Sequence, residues 1–312
     1  MRIEKYQQNF RKEWDTFVGQ AKNGHFLFMR NFMEYHADRY TDHSLLFFSK
    51  KGQLIALLPA NIDQQTLFSH QGLTFGGFVV SDQITTNVML ELFECLKDYL
   101  KSISVSKVIY KCLPAIYHRI PAEEDLYALF RNEATLIRRD VSSAIPLAQY
   151  VNYSKSRKWG INKAKSSEII VVQLSEYKEF WSVLEEVLLT NHQVKPVHSL
   201  KEIAHLAKHF PDNIKLFGAI KDNQLLAGSV IFESQMVAHT QYMANSSAGK
   251  KYRALDLLIH YLITEVYPDK KYFDFGISTE SSGKVLNSGL IAQKEEFGAY
   301  AIIHDFYELT IK

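Results

Sequence analysis

The 312-residue chain has little of several features that would decide its class at once. Its two cysteines, Cys95 and Cys112, are too few for a disulfide framework, and we expect both to be buried thiols. The chain has 36 Lys and Arg against 34 Asp and Glu. Its overall charge is therefore nearly balanced and does not predict nucleic-acid binding. No histidine or cysteine pair has a metal-ligand spacing such as HExxH, so we expect no metal site.

Long hydrophobic runs are missing as well. The stretch "MRIEKYQQNFRKEW" lacks the apolar core of a signal peptide. The apolar stretch "ALDLLIHYLITEV" is interrupted by Asp256, His260 and Glu265, so we expect no membrane span and a cytoplasmic location. Neither a Gly-x-Ser-x-Gly elbow nor a Walker-type loop occurs, which argues against a serine hydrolase or an NTPase.

What the chain does have is an internal repeat. Residues 45–77 and 215–247 share one layout, and aligning their turns "KKGQ" and "KDNQ" places Leu54 with Leu225 and Ala56 with Ala227. Each turn has Gly or Asn where a tight hairpin needs positive φ, with strand-like runs on both sides. A helical stretch and a further strand follow in each copy, "TTNVMLELFECLKDYL" then "KVIYKCLP", and "RALDLLIHYLITEVY" then "KYFDFGIS". The repeat predicts two α/β (α+β) units with mixed, largely antiparallel sheets flanked by helices.

Helices are also predicted ahead of each copy. "WDTFVGQAKNG" precedes the first, while "SEYKEFWSVLEEVLLTNH" and "SLKEIAHLAKHFP" precede the second, with capping-box spacing at Ser199 and Glu202. We place the boundary near Ala148 to Asn152, after the strand-like "SSAIPL". The prediction is an N-terminal domain over 1–148 and a C-terminal domain over 149–312.

Helices, a three-strand meander, a helix and a further strand form the order of the GNAT acyltransferase fold. A tandem pair of such units resembles the FemAB-like, Fem-type transferases. Residues 195–219, 238–263 and 272–299 carry the resemblance, together with "GHFLFMRNFMEYH" and "SHQGLTFGGFV" in the first half. The resemblance implies transfer of an activated acyl or aminoacyl group onto an amine or hydroxyl. It suggests a small-molecule, sugar or peptide precursor of the cell wall or a surface polysaccharide as acceptor, and leaves acyl-CoA and aminoacyl-tRNA open as donors.

The segment 273–299 holds the residues expected to catalyse this transfer, which needs a proton acceptor for the amine and donors for the oxyanion. Asp274 and Glu280 are the carboxylates expected to take the proton. The resemblance places Lys294 near the reacting carbonyl, since Fem-type enzymes have a lysine in a comparable Lys-x-x-Phe-Gly stretch. The alternatives are a turn-forming Asp274 beside Gly276 and a surface Lys294 in a charged run. We interpret the stretch "LIAQKEEFGAYAIIHDFYELTI" as returning strands.

Further residues are predicted to bind substrates. Strand alternation places His239 and Gln241 on one face and Tyr242 on the other. The predicted acceptor-binding residues are His198, His239, Gln241, Tyr242, Ser278, Asn287 and Arg157. "ANSSAGKKYRALD" lies where GNAT proteins hold the CoA pyrophosphate, although the usual glycine signature is degraded. The predicted donor-binding residues are Gly249, Lys250, Lys251 and Arg253.

Two interpretations of these features stay open. The basic stretch "YSKSRKWGINKAK", which contains Arg157, either binds a phosphate-bearing donor or acceptor, with tRNA as a possible partner, or forms a solvated helix face. The degraded pyrophosphate signature is also consistent with a non-catalytic protein that binds a sugar, peptide or nucleotide on a GNAT-like scaffold.

Overall fold

A computed structural model describes residues 1–149 and 151–312. Contacts divide the chain into two compact units, each made of more than one segment. The first unit is Met1–Val141, Thr279–Val285 and Ile303–Lys312, and the second is Ser142–Ser278 and Leu286–Ile302. This division differs from the single predicted cut between residues 148 and 149. Tyr150, inside the predicted boundary region, lies outside the described residues.

The strands of the first part of the chain are mostly short. They are β1 (Arg2–Lys5), β2 (Thr41–Asp42), β3 (Leu45–Phe48), β4 (Leu54–Leu58), β5 (Asn61–Asp63), β6 (Thr66–Phe68), β7 (Val79–Val80), β8 (Lys107–Lys111) and β9 (Thr135–Pro146). The helices there are α1 (Arg11–Gln20), α2 (Arg30–Met33), α3 (Thr86–Ser102) and α4 (Glu124–Arg131). Helices α1 and α3 confirm the helices predicted for this part.

The later strands are longer. They are β10 (Ile170–Leu174), β11 (Ile214–Lys221), β12 (Gln224–Glu233), β13 (Val237–Asn245), β14 (Tyr272–Ile277), β15 (Thr279–Glu280), β16 (Val285–Leu286) and β17 (Tyr300–Thr310). The later helices are α5 (Lys155–Lys165), α6 (Lys178–His192), α7 (Leu200–His209), α8 (Ser247–Tyr252), α9 (Ala254–Tyr261) and α10 (Ser288–Glu295), and a π-helical turn over Leu262–Val266 follows α9. The predicted capping box of Ser199 and Glu202 begins α7 and is confirmed.

Two sheets form in the first unit. One has the order β1-β3-β4-β7 and is antiparallel throughout. In the other, the C-terminal half of β17 pairs antiparallel with β8, β8 pairs parallel with β6, and β5 and β2 follow. Leu92, Leu96 and Leu100 of α3 pack into the core with Leu45 and Phe47. Burying each such side chain contributes roughly 1.5–3 kcal/mol, so this face of α3 holds the helix to the sheet.

The sheet of the second unit positions the candidate site. Strands β10, β11, β12 and β13 are antiparallel neighbours, β14 runs parallel to β13, and the end of β9 pairs antiparallel with β14. Leu258 of α9 and Phe273 of β14 lie in the core on one side. Mixed, largely antiparallel sheets flanked by helices confirm the predicted fold class. The long strands β9 and β17 each contribute residues to both units. The units are discontinuous in sequence because Thr279–Val285 and Ile303–Lys312 group with the first unit.

The repeated hairpins agree in register as well as in layout. Each leaves one residue of its second strand unpaired, Ile55 in the first unit and Leu226 in the second. The flanking pairs are Phe48↔Leu54, Phe47↔Ala56, Ile220↔Leu225 and Ala219↔Ala227. The predicted alignment of the two copies is therefore confirmed residue by residue around a shared bulge.

The prediction of strands throughout residues 290–311 is wrong for its first part. Residues 288–295 form α10, because Asn287 caps the helix by accepting a hydrogen bond from the Leu290 amide at 3.0 Å. The chain leaves the helix through Gly298, whose φ of +82° favours glycine, and only then enters β17. Within the described residues, every helix is too short or too polar to cross a bilayer.

Candidate functional site

A short parallel ladder lies at the centre of the second unit. β13 and β14 pair from Val237↔Tyr272 to His239↔Asp274, and their ladder ends there although β13 continues to Asn245. His239 and Asp274 thus form the last pair before the two strands part. Asp274 is fully buried and His239 is partly exposed, so the imidazole is the accessible member of this pair.

Asp274 and His239 form a hydrogen-bonded pair. Asp274 is 0% exposed, and its Oδ2 lies 2.8 Å from Nδ1 of His239. Its Oδ1 accepts hydrogen bonds from the Ser142 hydroxyl at 2.6 Å and from the Gly276 amide at 3.1 Å. Three donors around one carboxylate favour its ionised form. A carboxylate that accepts the Nδ1 proton makes Nε2 the basic nitrogen of His239, which is the arrangement of an oriented general base.

Lys294 is buried and anchors the loop that follows β14. Only 3% of its surface is exposed, so the alternative of a surface lysine is wrong. Its Nζ donates to the carbonyls of Gly276 and Ile277 at 2.8 and 2.9 Å and to Oγ of Ser278 at 2.8 Å. These bonds use all three donors of an ammonium group. Burial lowers the pKa of Lys294 to about 8, and the charge of Asp274 opposes that shift.

The predicted residues Ser278 and Asn287 build the support of this lysine. The Asn287 amide donates to the Ser278 carbonyl at 2.9 Å, while the Asn287 side chain caps the helix that carries Lys294. Gly276 has a φ of +76°, and a Cβ there would lie 3.3 Å from Cε1 of His239. Glycine therefore lets the chain turn while its backbone stays against the imidazole. The acceptor-binding roles of Ser278 and Asn287 stay predictions.

The predicted alternation along β13 is wrong at Tyr242. A bulge leaves Gln241 without a cross-strand partner in β12, and the neighbouring pairs are Val230↔Tyr242, Ile231↔Thr240 and Phe232↔His239. Because Val230 and Phe232 point to the same side of β12, Tyr242 shares a face with His239. The extra residue of the bulge reverses which face of the sheet the following side chains of β13 point to. The order of apolar and polar residues in β13 does not reveal this reversal.

Tyr242 contacts another predicted residue, His198. Its hydroxyl lies 2.6 Å from Nδ1 of His198 and accepts the His198 amide at 3.1 Å. Burial raises the pKa of the Tyr242 hydroxyl. Trp181 of α6 packs edge-on against the Tyr242 ring at 5.2 Å between centroids. The fold thus joins His198 and Tyr242 into one hydrogen-bonded group on the face of His239.

Predicted donor and acceptor residues meet at a cavity of about 540 Å³. Its lining includes Arg157 of α5, Lys250 and Arg253 from α8 and its end, and Asn245 of β13. Several residues of α10, the helix that carries Lys294, line it as well. The cavity is therefore next to the helix that supports the loop after β14.

The two arginines at this cavity are already paired. Nη1 of Arg157 donates to Asp256 at 2.5 Å, and its Nη2 lies 2.9 Å from Glu296. Arg253 lies 2.7 Å from the second oxygen of Asp256, and the Arg157 guanidinium stacks on Phe297 at 4.6 Å. These contacts tie α5, α9 and α10 together. Lys250 is exposed and forms no ion pair with residues 1–149 or 151–312, so it is the cation of this cavity most open to a ligand.

Gly249 has a packing reason for being glycine. A Cβ at this position would lie 2.2 Å from the Leu226 carbonyl, so only a bare Cα fits against β12. Its amide donates to the Ser246 hydroxyl at 3.0 Å, which caps α8 from within the chain. Lys251 is exposed on the same short helix. Donor binding by Gly249 and Lys251 stays a prediction.

Glu280 is exposed in the short β15, in a segment that groups with the first unit, and its catalytic role stays a prediction. Among residues 1–149 and 151–312, no group of three or more His, Cys, Asp and Glu side chains is placed to hold a metal ion.

Sequence reasoning missed two residues that organise the site. Ser142 donates to Asp274, and its signal was a serine in the otherwise apolar strand run "SSAIPL". Asp256 is buried between Arg157 and Arg253, and its signal was an acidic residue inside the apolar stretch "ALDLLIHYLITEV". A polar residue within an apolar element is informative because burial requires that it find a partner.

Comparison with solved structures decides the fold. FemX matches with a TM-score of 0.69 at 11% identity, over 98% of this chain and 97% of that chain. L-PGS from Bacillus licheniformis matches with a TM-score of 0.64 at 12% identity, over 98% and 92%. A tandem GNAT protein from the clavulanic acid biosynthesis pathway matches with a TM-score of 0.51 at 12% identity, over 100% and 98%.

The chain has a tandem GNAT-like fold. It is the fold of FemX and L-PGS, which confirms the predicted FemAB-like resemblance over the length of the chain. Identities of 11 and 12% establish the fold alone. No protein-family model and no curated protein matches the sequence.

Proposed function

We propose that this tandem GNAT-like protein transfers an activated acyl or aminoacyl group onto an amine or hydroxyl of an acceptor, with His239 as the general base. The observation that carries the proposal is the His239–Asp274 pair at the end of the β13–β14 ladder. An imidazole whose Nδ1 is held by a buried carboxylate is oriented to take a proton at Nε2.

The proposed step conserves protons and electrons. The acceptor nitrogen or oxygen attacks the acyl carbonyl while its proton passes to Nε2 of His239. The carbonyl oxygen becomes an oxyanion, and collapse of the tetrahedral intermediate breaks the bond to the leaving group, a thiolate or a ribose oxygen. The protonated imidazole, stabilised by Asp274, then returns the proton to that leaving group. Asp274 thus acts through His239 rather than by touching the amine.

Lys294 takes a positioning role in this scheme. Its three donors are bonded to Gly276, Ile277 and Ser278, so it holds the loop beside His239 instead of presenting a free cation. The catalytic role predicted for Lys294 requires substrate to displace one of these bonds. Substitution of Lys294 should lower both activity and stability under either role, because the three bonds are present in the free protein.

The cavity lined by Arg157, Lys250 and Arg253 is our candidate for the donor. Acyl-CoA and aminoacyl-tRNA both bring phosphate groups, which basic side chains bind. Since Asp256 and Glu296 already neutralise the arginines, we assign the first contact with phosphate to Lys250. The choice between the two donors is left to experiment.

A cell-envelope precursor in the cytoplasm is the acceptor that we propose. Support comes from residues 272–299, where the resemblance to FemAB-like proteins is most specific. The names of similar structures refer to different processes: one is named for a lysylphosphatidylglycerol synthetase, and another comes from clavulanic acid biosynthesis. The shared fold therefore does not choose the acceptor.

The test is transfer of a labelled acyl group from acetyl-CoA, longer acyl-CoAs and aminoacyl-tRNA to a panel of amines and amino sugars. His239→Gln should lower turnover by roughly 10²–10⁴-fold, the usual contribution of a general base. His205→Gln, an exposed histidine of α7, is the matched control and should keep the wild-type rate. Equal rates in His239→Gln and wild type would refute the assignment of the base.

A second candidate function is a non-catalytic ligand-binding protein. The internally capped start of α8 favours it, since Ser246 already takes the Gly249 amide that a bound pyrophosphate would need. A thermal-shift series with acetyl-CoA, longer acyl-CoAs and nucleotide sugars separates the candidates. Stabilisation by nucleotide sugars alone, with no transfer from any donor, would favour the binding protein.

A further inference from the structure

The first unit contains a polar cavity that the proposed transfer does not use. Its volume is about 360 Å³, within the range of sites for small molecules. Arg30 and His70 lie at its inner wall, only 2% and 3% exposed, and Tyr40, Asp42 and Glu34 also line it. The lining is therefore rich in hydrogen-bonding groups and includes one buried charge, on Arg30, beside two partly exposed carboxylates.

The charges in this cavity balance each other. Nε of Arg30 donates to Glu34 at 3.0 Å, and its Nη2 pairs with Asp42. Arg11 pairs with the other oxygen of Glu34 at 2.6 Å. The Arg30 guanidinium also stacks over the Tyr6 ring at 3.6 Å. A charged ligand would find no unpaired counter-charge among these groups, so the cavity favours an uncharged one.

Hydrogen-bonding capacity remains on both carboxylates after these pairs form. Each carboxylate oxygen has two lone pairs. Oδ2 of Asp42 is bonded to Arg30 alone and Oε2 of Glu34 to Arg11 alone, among the described contacts. Both oxygens can therefore accept a hydroxyl proton from a ligand.

His70 provides the complementary donor. The Gly72 amide donates to its Nδ1 at 3.3 Å, so the proton of a neutral imidazole is on Nε2. Burial lowers the pKa of His70 to about 3, which keeps the ring neutral at physiological pH. The ring stacks on His36 at 5.1 Å, and His36 in turn lies 3.3 Å from the Gly72 carbonyl. His70 is thus a fixed, uncharged donor at the wall of the cavity.

The backbone of His70 is strained. Its φ is +68°, a left-handed conformation that is uncommon for any residue other than glycine. Asn61 holds the turn by bonding the amide and the side chain of Gln71 at 2.8 and 2.7 Å. Strain that the surroundings enforce is concentrated at ligand sites, so it supports a binding role for this turn.

We propose that this cavity binds the ring of a neutral sugar. Sugar hydroxyls donate and accept at once, which suits acceptors on Asp42 and Glu34 facing a donor on His70. Tyr40 adds ring surface for the apolar face of a pyranose. The site lies wholly within the first unit and is independent of transfer by His239.

Three sugars of one shape and different charge test the proposal by titration calorimetry on the full chain. They are glucose, glucosamine and glucuronate, with N-acetylglucosamine as a second neutral ring. The neutral rings should bind at least about tenfold more tightly than the charged ones, because the cavity has no spare charge to pair. Tighter binding of either charged sugar, or no binding of any sugar, would overturn the proposal.

Substitutions then locate the binding. Ala37 is exposed and lines the cavity, so Ala37→Trp should fill the mouth without touching the core and weaken binding by about tenfold or more. Ala204→Trp, at an exposed alanine of α7, is the matched control and should bind as wild type does. His70→Asn tolerates the left-handed backbone and removes the Nε2 donor. Unchanged affinity in Ala37→Trp would place the sugar elsewhere and contradict the proposal.

Discussion

The two units contain equivalent hairpins but have different residues at the last pair of their parallel ladders. Their hairpins share a register and leave Ile55 and Leu226 unpaired at the same step. Both units also contain a three-pair parallel ladder, whose last pair is Phe68 with Ile109 in the first unit and His239 with Asp274 in the second. The repeated scaffold therefore does not specify a site. The site arises where the second ladder replaces two apolar residues by an imidazole and a carboxylate.

A lysine that donates to loop carbonyls is common to both units. Lys111 of β8 donates to the carbonyls of Gln71 and Leu73 at 3.2 and 2.7 Å, much as Lys294 donates to loop carbonyls in the second unit. Burial lowers the pKa of each lysine to about 8. Each unit thus has a lysine that holds a loop in place through its carbonyls. Of the two lysines, Lys294 is the one whose charge interacts with that of Asp274.

The largest effect should come from making the second ladder like the first. Asp274→Ile introduces the residue found at Ile109 and removes the carboxylate that orients His239. We expect turnover to fall by roughly 10²–10⁴-fold, the range of a lost general base, and the buried donors on Ser142 and Gly276 to lose their acceptor. Ile109→Val, a conservative change in the first ladder, is the control. Activity above a tenth of wild type in Asp274→Ile would contradict an oriented base.

The next effect concerns the two lysines that hold loops, Lys294 and Lys111. Lys294→Met leaves three acceptors without a donor, at about 1 kcal/mol each, so we expect the free energy of unfolding to fall by about 3 kcal/mol. Lys111→Met leaves two carbonyls unpaired and should cost about 2 kcal/mol by the same reasoning. Urea denaturation measures both. If Lys294→Met were as stable as wild type, the positioning role of Lys294 would be contradicted.

The free energy of unfolding at alkaline pH should report the titration of Lys294. Its folded pKa of about 8 lies below the value of about 10.4 in an unfolded chain, so between these values the unfolded state binds more protons. The stability of the wild type should therefore rise with pH across this window, by about 2 kcal/mol from pH 8 to pH 10. Lys294→Met serves as the reference because it lacks this group. A parallel pH dependence in the two proteins would show that Lys294 does not titrate there.

The smallest effect lies in the hairpin turns. Gly52 has a φ of +78° and open space around its Cα, so Gly52→Ala should cost about 1 kcal/mol through backbone strain alone. Asn223 reaches a φ of +59° in the second turn, and Asn223→Gly should change stability by only a few tenths of a kcal/mol. Thermal unfolding of the two variants checks both values. A larger effect at Asn223 than at Gly52 would show that the turns are not equivalent.

Most of the architecture was predictable from local patterns. The hairpin alignment, the capping box of α7 and the helices α1, α3 and α6 follow from turn residues and apolar periodicity, which act over a few residues. The prediction failed at α10, where the cap at Asn287 outweighed a strand-like pattern. It also failed at Tyr242, where a bulge depends on the partner strand and leaves no trace in β13 itself.

Local patterns of residues were enough to show that the chain repeats a hairpin, helix and strand, and that its unusual polar residues lie in 273–299. What those residues do depends on contacts made in the folded chain. Asp274 became the partner of Ser142, 132 positions away, and of His239, 35 positions away. Lys294 became a buried anchor through bonds to residues 16 to 18 positions away. Hydrogen bonds between distant segments depend on strand order and on which helix covers an opening. Local propensity carries no information about either.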